Sequence, residues 1–305
     1  MSDWTQRLRV QHLRVLVCIG EQGNLTKAAE LMNITQPALS KWLTALEEEM
    51  GLTLFERHSK GMRPSPGGRL LLEHASRLLN DLERSREDIE LFKQGAQGSL
   101  LIGCSPVATD CVSAGVLSLV KEHPGVHIQI VENVMTPLLE SLIAGKVDVV
   151  VGRVGSKALQ LPLHYRVLYT EPVCFVGACN HPLAQKARIN WQDLLEYRWI
   201  VWPTGTPIRV SIDNALVDQG ITLPASYLES SSMSVTLNLV QSSDMVSILS
   251  LRLAERYASQ EQLAILPLPR IEQKGSVGVF WRQNDLPSDA LRHFLAHLLK
   301  VKDEG

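Results

Sequence analysis

No apolar run in this chain approaches the roughly 18–20 residues that a membrane-spanning helix needs. The opening residues, Met1-Ser2-Asp3-Trp4-Thr5-Gln6-Arg7, are polar and hold no apolar signal core. Neither membrane insertion nor secretion is expected, which leaves the cytoplasm. Cysteine is scarce and scattered: Cys18, Cys104, Cys111, Cys174 and Cys179 make an odd number and contain no Cys-x-x-Cys pair. That excludes a zinc ribbon and a disulfide framework, and reads the thiols as small buried hydrophobes in a reducing compartment. An excess of one charge is also missing. Thirty Lys and Arg face 32 Asp and Glu for a net charge of −2. A nucleic-acid partner is therefore not advertised globally, and any basic patch has to be local.

The catalytic signatures are missing too. There is no Gly-x-Ser-x-Gly elbow, no His-Glu-x-x-His and no Walker loop. Ser118-Leu119-Val120-Lys121 has the form Ser-x-x-Lys, but it lies inside an expected helix without partner motifs. The nine histidines do not cluster at metal-ligand spacing. An enzyme, a metal site and a bound cofactor are not expected. No internal repeat or low-complexity tract occurs.

What is present falls into three textures within 305 residues, long enough for two or three domains. In residues 1–66, Leu8, Leu13, Leu16, Val17 and Ile19 suggest a first helix ended by Gly23. Asn24 can cap a second through Ala28, Ala29 and Leu31, and Asn33 marks a turn. Thr35 can cap a third helix with Pro37 in its first turn; it buries Leu39, Leu43 and Leu46 and stops at Gly51. Two helices joined by a short turn, the second opening on small polar residues, make a helix-turn-helix pattern. Leu54-Phe55-Glu56-Arg57, a turn at Ser59-Lys60-Gly61, and Met62-Arg63-Pro64 then suggest a hairpin, or wing. Arg57, Lys60 and Arg63 cluster there against Glu56 alone, forming a local basic patch.

Residues 67–94 carry Leu71, Ala75, Leu78, Leu82, Ser85, Ile89 and Phe92 at alternating spacings of 4 and 3, a heptad seam, with charged residues between. A linker helix that pairs two chains is favoured over a helix packed only on its own domain. Gln94-Gly95-Ala96-Gln97-Gly98 breaks it. From Ser99 onward strands alternate with helices, as in α/β domains. Strands are expected at Leu100–Gly103, His127–Val131 and Val147–Val151, with helices at Val116–Glu122 and Leu138–Ala144. The Val/Ile runs suit a parallel sheet buried on both faces. A second segment offers strands at Val173–Val176 and Trp199–Val201 and helices at Ile208–Gln219 and Ser234–Gln241. Late strands at Leu263–Leu266 and Val277–Trp281, with a helix at Ser288–Lys302, are expected to return to the first subdomain.

The segment Asn24-Leu25-Thr26-Lys27-Ala28-Ala29-Glu30-Leu31, then Thr35-Gln36-Pro37-Ala38-Leu39-Ser40-Lys41, Leu46-Glu47 and Gly51-Leu52-Thr53-Leu54-Phe55-Glu56-Arg57 closely resembles the DNA-binding region of LysR-type transcriptional regulators. Length, linker helix and two-part α/β remainder match as well, so the resemblance covers essentially the whole chain. It departs at Asn24, where the family often has serine, and at Ser65-Pro66-Gly67-Gly68, where it has Thr-x-x-Gly. The resemblance implies a winged helix-turn-helix over 1–66, a dimerisation helix over 67–94 and an effector-binding domain over 95–305. That last domain is expected to be periplasmic-binding-protein-like, with subdomain I about 99–168 and 266–302 and subdomain II about 169–265. The implied function is sequence-specific binding of double-stranded DNA by a homotetramer, a dimer of dimers, working with RNA polymerase and modulated by a small molecule. A transport-type binding protein would match residues 99–305 but would not carry the DNA-binding head.

In a recognition helix the N-terminal side chains meet major-groove base edges. Gln36 suits adenine and the Ala38 methyl suits thymine. Thr35, Ser40 and Lys41 suit phosphates. Asn24, Thr26, Pro37, Thr44, Arg57, Lys60 and Arg63 complete the expected DNA contacts, while Trp42 suits DNA or the domain interior equally. The effector cleft implied by the family lies at carboxyl ends of strands and starts of helices. The matching positions are Ser105, Pro106 and Val107; Asn133, Val134 and Thr136; Arg153; Thr204 and Thr206; and Ser231, Ser232 and Met233. Arg153 and Arg209 are candidate partners for a carboxylate. The expected effector is an aromatic acid, another small anion or a sugar.

Overall fold

The computed structural model describes residues 4–58, 61–268, 275–283 and 287–300. After a short turn of 3-10 helix, α1 (Val10–Gln22), α2 (Leu25–Leu31) and α3 (Gln36–Met50) precede a hairpin of β1 (Phe55–His58) and β2 (Gly61–Pro64). Leu8 precedes α1 rather than starting it, and packs partly buried on the same core. Leu16, Ile19, Ala28, Leu39, Leu43 and Leu54 fill that core. Gly23 and Gly51 close α1 and α3 in the left-handed conformation, where a Cβ is disfavoured. Part of the hairpin turn, Ser59 and Lys60, lies outside the described residues.

The carboxylate of Glu47, on α3, accepts the backbone N–H groups of Leu54 (2.6 Å) and Phe55 (3.1 Å) and so ties that helix to the wing. Glu47→Ala leaves two half-buried donors unpaired, and thermal unfolding is expected to show a loss of about 2 kcal/mol. An unchanged melting temperature would mean that water replaces the carboxylate without cost.

Helix α4 (Pro66–Lys93) follows directly. At the departure from Thr-x-x-Gly, the Ser65 hydroxyl accepts from the Gly68 N–H at 2.9 Å and donates to the Thr53 carbonyl at 2.6 Å, so serine performs the capping there. Ala75 is buried and Leu71 and Leu72 pack on the head core, whereas Leu78, Leu82, Ile89 and Phe92 are exposed. The seam thus has one end committed to its own domain and the rest open.

The remaining chain holds two sheets. In order come β3 (Ser99–Cys104), α5 (Thr109–Glu122), β4 (His127–Glu132), α6 (Met135–Ile143), β5 (Val149–Arg153), β6 (Leu163–Glu171), β7 (Val173–Gly177), α7 (Trp191–Leu195), β8 (Trp199–Val201) and α8 (Pro207–Asp218). Then follow β9 (Leu228–Glu229), α9 (Met233–Gln241), β10 (Val246–Ser250), α10 (Leu251–Ser259), β11 (Ala264–Ile265), β12 (Gly275–Arg282) and α11 (Asp289–Lys300). The first sheet has the order β4-β3-β5-β12-β6 and the second β11-β7-β10-β8-β9.

The expected parallel sheet is mixed. Strands β4, β3 and β5 run parallel, but β12 pairs antiparallel with both β5 and β6. Among the described strands of this sheet only the central β5 is buried along its whole length; β4 is an edge strand whose Ile130 and Val131 face solvent despite their character. The strand at Leu263–Leu266 does not return to the first subdomain: β11 pairs with β7 in the second sheet, and β12 and the helix α11 make the return. Helix α5 starts seven residues before the expected Val116, because polar Thr109 and Asp110 open it at the end of a short 3-10 turn. Helix α6 starts at Met135, and β5 is displaced two residues C-terminally from Val147–Val151. That displacement brings Arg153 into the strand. The crossover from the first sheet to the second runs through Glu171-Pro172, between β6 and β7.

Of the cysteines, Cys104 is buried and Cys179 is exposed, against the expectation that all are buried. Burial pushes the Cys104 thiol up to about 12 and the Cys111 thiol up to about 11, which keeps both protonated and unreactive at neutral pH.

Candidate functional sites

The first candidate is the outer face of the head. Asn24 caps α2 by accepting the N–H groups of Thr26 (2.8 Å) and Lys27 (3.1 Å), and Thr35 caps α3 by accepting from Ala38 at 3.4 Å. The caps fix where each helix begins, and hence which side chains stand at its exposed start. Thr35, Gln36, Pro37, Ala38, Lys41 and Thr44 are exposed, and Leu39 and Leu43 are buried beneath them. Pro37, Ser40, Lys41 and Thr44 share one shallow groove along α3. Arg57 reaches from β1 to the Ser40 hydroxyl at 3.4 Å, which sets the wing beside the helix. Arg63 is exposed on β2; Lys60 lies outside the described residues. Trp42 is half-buried. Its ring lies 5.1 Å from that of His12, and it packs against the head core.

The second candidate is a cavity in the α/β part, at carboxyl ends of strands from both sheets. Ser105, Pro106 and Val107 follow β3, Val134 follows β4, and Arg153 ends β5. From the second sheet Trp202 follows β8, with Thr206, Pro207 and Ile208 at the start of α8, and Ser250 ends β10. Met135 and Leu253 complete the wall. The starts of α6, α8 and α10 converge here, and a helix start presents unpaired N–H groups and the positive end of its dipole. About 50 Å3 is open to the centres of water-sized molecules, on the order of four waters.

Of the positions that the family resemblance implied for an effector, Ser105, Pro106, Val107, Val134, Arg153 and Thr206 line this cavity. Six other positions stand elsewhere for local reasons. The Asn133 carboxamide accepts from the Val134 N–H (2.8 Å), Thr136 is exposed on α6, and the Thr204 hydroxyl bonds Glu229 (3.3 Å). Ser231 is exposed, Ser232 caps α9 by accepting from Val235 (3.3 Å), and Met233 is packed into the second subdomain's core. Arg209 is not available to a ligand: buried, it is held by Asp213 (2.8 Å), Glu229 (3.4 Å) and the Trp202 carbonyl (3.2 Å). Pro207, in the Thr204-Gly205-Thr206-Pro207 stretch that the family places at the cleft, lines it too, whereas sequence reasoning missed Met135, Trp202, Ile208, Ser250 and Leu253 as wall residues.

Arg153 is buried and its Nη1 donates to the Glu171 main-chain carbonyl at 2.9 Å. Burial lowers its pKa from the ordinary arginine value, with the Glu171 charge opposing that shift. Glu171 is fully buried, accepts the Arg252 N–H at 3.0 Å and pairs with its guanidinium at 3.4 Å; burial raises its pKa. The Thr206 hydroxyl donates to the Pro203 carbonyl at 2.8 Å, so its hydrogen is already committed.

Comparison with known proteins gives two family matches. Residues 10–69 match the bacterial regulatory helix-turn-helix protein, lysR family, and residues 93–303 match the LysR substrate binding domain. The HTH-type transcriptional regulator GbpR of Azospirillum brasilense is 30% identical over 97% of this chain and 87% of its own. PcaQ of Agrobacterium fabrum, likewise an HTH-type transcriptional regulator, is 27% identical over 98% of this chain and 99% of its own. The crystal structure of the LysR family transcriptional regulator CbnR shares the fold, with a TM-score of 0.63 at 17% identity, covering 97% of this chain and 99% of that one. Among the described residues no helix is long and apolar enough to cross a membrane, and no cluster of His, Cys, Asp and Glu could hold a metal ion.

Proposed function

We propose, from the premise that this chain belongs to the LysR-type family of DNA-binding transcriptional regulators, that it reads a two-fold-related DNA site in the cytoplasm through paired heads and changes its hold on that site when a small molecule enters the cavity. Residues 1–66 bind DNA, 67–94 pair two chains and 95–305 bind the effector, as a dimer of dimers acting on RNA polymerase. The observation that carries this reading is the exposed start of α3, capped by Thr35 and flanked by Arg57 and Arg63 on the wing. Gln36 and Ala38 read base edges. Asn24, Thr26, Thr35, Pro37, Ser40, Lys41, Thr44, Arg57, Lys60 and Arg63 hold the backbone and set register.

The test is genome-wide capture of DNA fragments by the purified protein at two salt concentrations. A few sharply bound intergenic sites with two-fold-related sequence support the reading; salt-labile binding everywhere overturns it. On the site so found, Gln36→Ala is expected to relax base preference by about 1–3 kcal/mol at one position in each half. Arg63→Ala is expected to weaken all sequences alike and to reduce the salt slope by about one. Competition titrations over single-base variants separate the two; identical preference in wild type and Gln36→Ala removes Gln36 from base reading.

A further inference from the structure

Helix α10 belongs to the second subdomain, where Leu253 and Ala254 pack into the core, yet its first turn is held from the crossover. Its own N-cap residue, Ser250, forms no side-chain capping bond. Glu171, the last residue of β6, takes that place. Its Oε1 accepts the Arg252 N–H at 3.0 Å, and the neighbouring Pro172 carbonyl accepts the Leu251 N–H at 2.9 Å. Two more ties run from the same helix to the first subdomain. The Arg252 guanidinium lies 4.4 Å from the centre of the Tyr169 ring, and Arg256, one turn on, pairs with Asp110 at the start of α5 at 2.6 Å. The join between the sheets thus clamps α10, and a carboxyl group from the first sheet sits at its centre.

That carboxyl group is poorly compensated. Glu171 is 0% exposed. Its Oε2 makes no hydrogen bond among the described residues, and Arg252 Nε, 3.4 Å away, belongs to a side chain that is 62% exposed. The other charged or titratable groups that face it are Arg153 from β5, Tyr169 from β6, Cys174 from β7 and Glu255 from α10 itself. Arg153 gives its Nη1 to the Glu171 main-chain carbonyl rather than to the carboxylate. Taking a carboxylate fully out of water costs more than one hydrogen bond and one exposed counter-ion return. Burial accordingly raises the Glu171 pKa above the usual carboxylate range; the Arg252 N–H and the charges of Arg153 and Arg252 oppose the shift, and Glu255 adds to it. A carboxyl group with a raised folded pKa holds its proton more tightly folded than unfolded. Its contribution to stability therefore grows as the pH falls from neutral toward the unfolded value of about 4.3, and is lost as the pH rises through the folded value.

We propose that Glu171 makes the seating of α10 on the first subdomain proton-linked: uptake of a proton tightens the clamp, and its release leaves a buried charge that loosens it. Mild acidification then stiffens the join between the subdomains, whatever fills the cavity.

The test is calorimetry of the full chain between about pH 7.5 and about pH 5.5, beside hydrogen–deuterium exchange of peptides covering α10, corrected for the intrinsic rate. Glu171→Gln keeps an acceptor for the Arg252 N–H and removes the charge. Its α/β transition is expected about 2 °C or more above the wild type at the upper pH, and the gap is expected to close as the wild type takes up its proton. Helix α10 is expected to gain protection on acidification in the wild type and not in Glu171→Gln. Arg252→Gln removes a cation that favours the charged form and keeps the main-chain N–H, so it is expected to steepen the pH dependence. Asp110→Asn cuts only the Arg256 tie and is expected to lower α10 protection alike at every pH. Identical pH profiles for wild type and Glu171→Gln overturn the proposal. So does a Glu171→Gln chain that fails to fold or melts below the wild type at neutral pH. An Asp110→Asn chain whose profile flattens as that of Glu171→Gln does would place the proton on the surface pair, and overturns it too.

Discussion

Gly68→Ala is expected to unfold the head while leaving the α/β part intact. Gly68 is buried near the start of α4, and a Cβ there would lie 1.9 Å from the Leu54 carbonyl oxygen and 2.9 Å from its carbon. Both obstacles are main chain, and Leu54 is itself fully buried beside β1. Neither can turn aside. Relief requires α4 to move off the strand by about 1.5 Å or more to reach ordinary contact distance. That movement pulls apart the Ser65 cap on Gly68 and the bond from the Ser65 N–H to the same Leu54 carbonyl at 2.9 Å. Overpacking plus broken bonds of this kind costs about 3 kcal/mol or more, a large share of the roughly 5–15 kcal/mol that holds a domain folded. Calorimetry of the full chain should lose the transition belonging to the head, and operator binding should vanish with it. The neighbouring Gly67→Ala is the control: its Cβ would meet Leu52 Cδ2 at 2.4 Å, the tip of an exposed side chain that can swing away. A wild-type head transition in Gly68→Ala would show that α4 and β1 are not held as closely as described.

The head was legible in the sequence because its signals are local. Asn24, Thr35 and Gly51 stand within a few residues of the helices they start or stop, and the caps form as written. The cavity was half legible for the same reason. Strand ends with a small polar residue followed by a helix, such as Ser105 and Thr206, announce themselves. Ser250 did not, because β10 went unseen: Val246-Ser247-Ile248-Leu249-Ser250 is a short run without alternation or flanking Gly or Pro, and only its place between β7 and β8 makes it a buried central strand. Strand β6 was lost for the opposite reason, since His164 and Arg166 interrupt an edge strand that solvent tolerates. The apolar wall of Trp202, Met135 and Leu253 depends on two sheets meeting, and no local pattern records that. Arg209 shows the converse error. It has the right type and lies two residues past the helix start, yet Asp213 and Glu229 consume it.

Charging the open part of the α4 seam is expected to separate the chains and to weaken operator binding by about 100-fold or more. The helix is 28 residues long, about 42 Å at 1.5 Å per residue, and its seam is unequal along that length. Leu71 and Ala75 belong to the head, so substitutions there confound folding with pairing. Leu82, Ile89 and Phe92 touch no core cluster and are 45%, 56% and 76% exposed. Apolar residues at heptad positions on an otherwise charged helix are stable in water only when a partner covers them. The double variant Leu82→Asp, Ile89→Asp places carboxylates where two seams would meet, and desolvating them costs more than the contacts return. Unpaired heads then bind half-sites independently, and the effective concentration supplied by the linkage is lost, a factor of about 10²–10⁴. Charge alone is not the cause if Glu83→Lys, on the solvated face beside Arg86, leaves both mass and affinity unchanged. Sedimentation velocity reads the mass and fluorescence anisotropy the operator affinity. A double variant that still sediments with the wild type would move the pairing away from this helix, and the two-fold reading of DNA would then need another source.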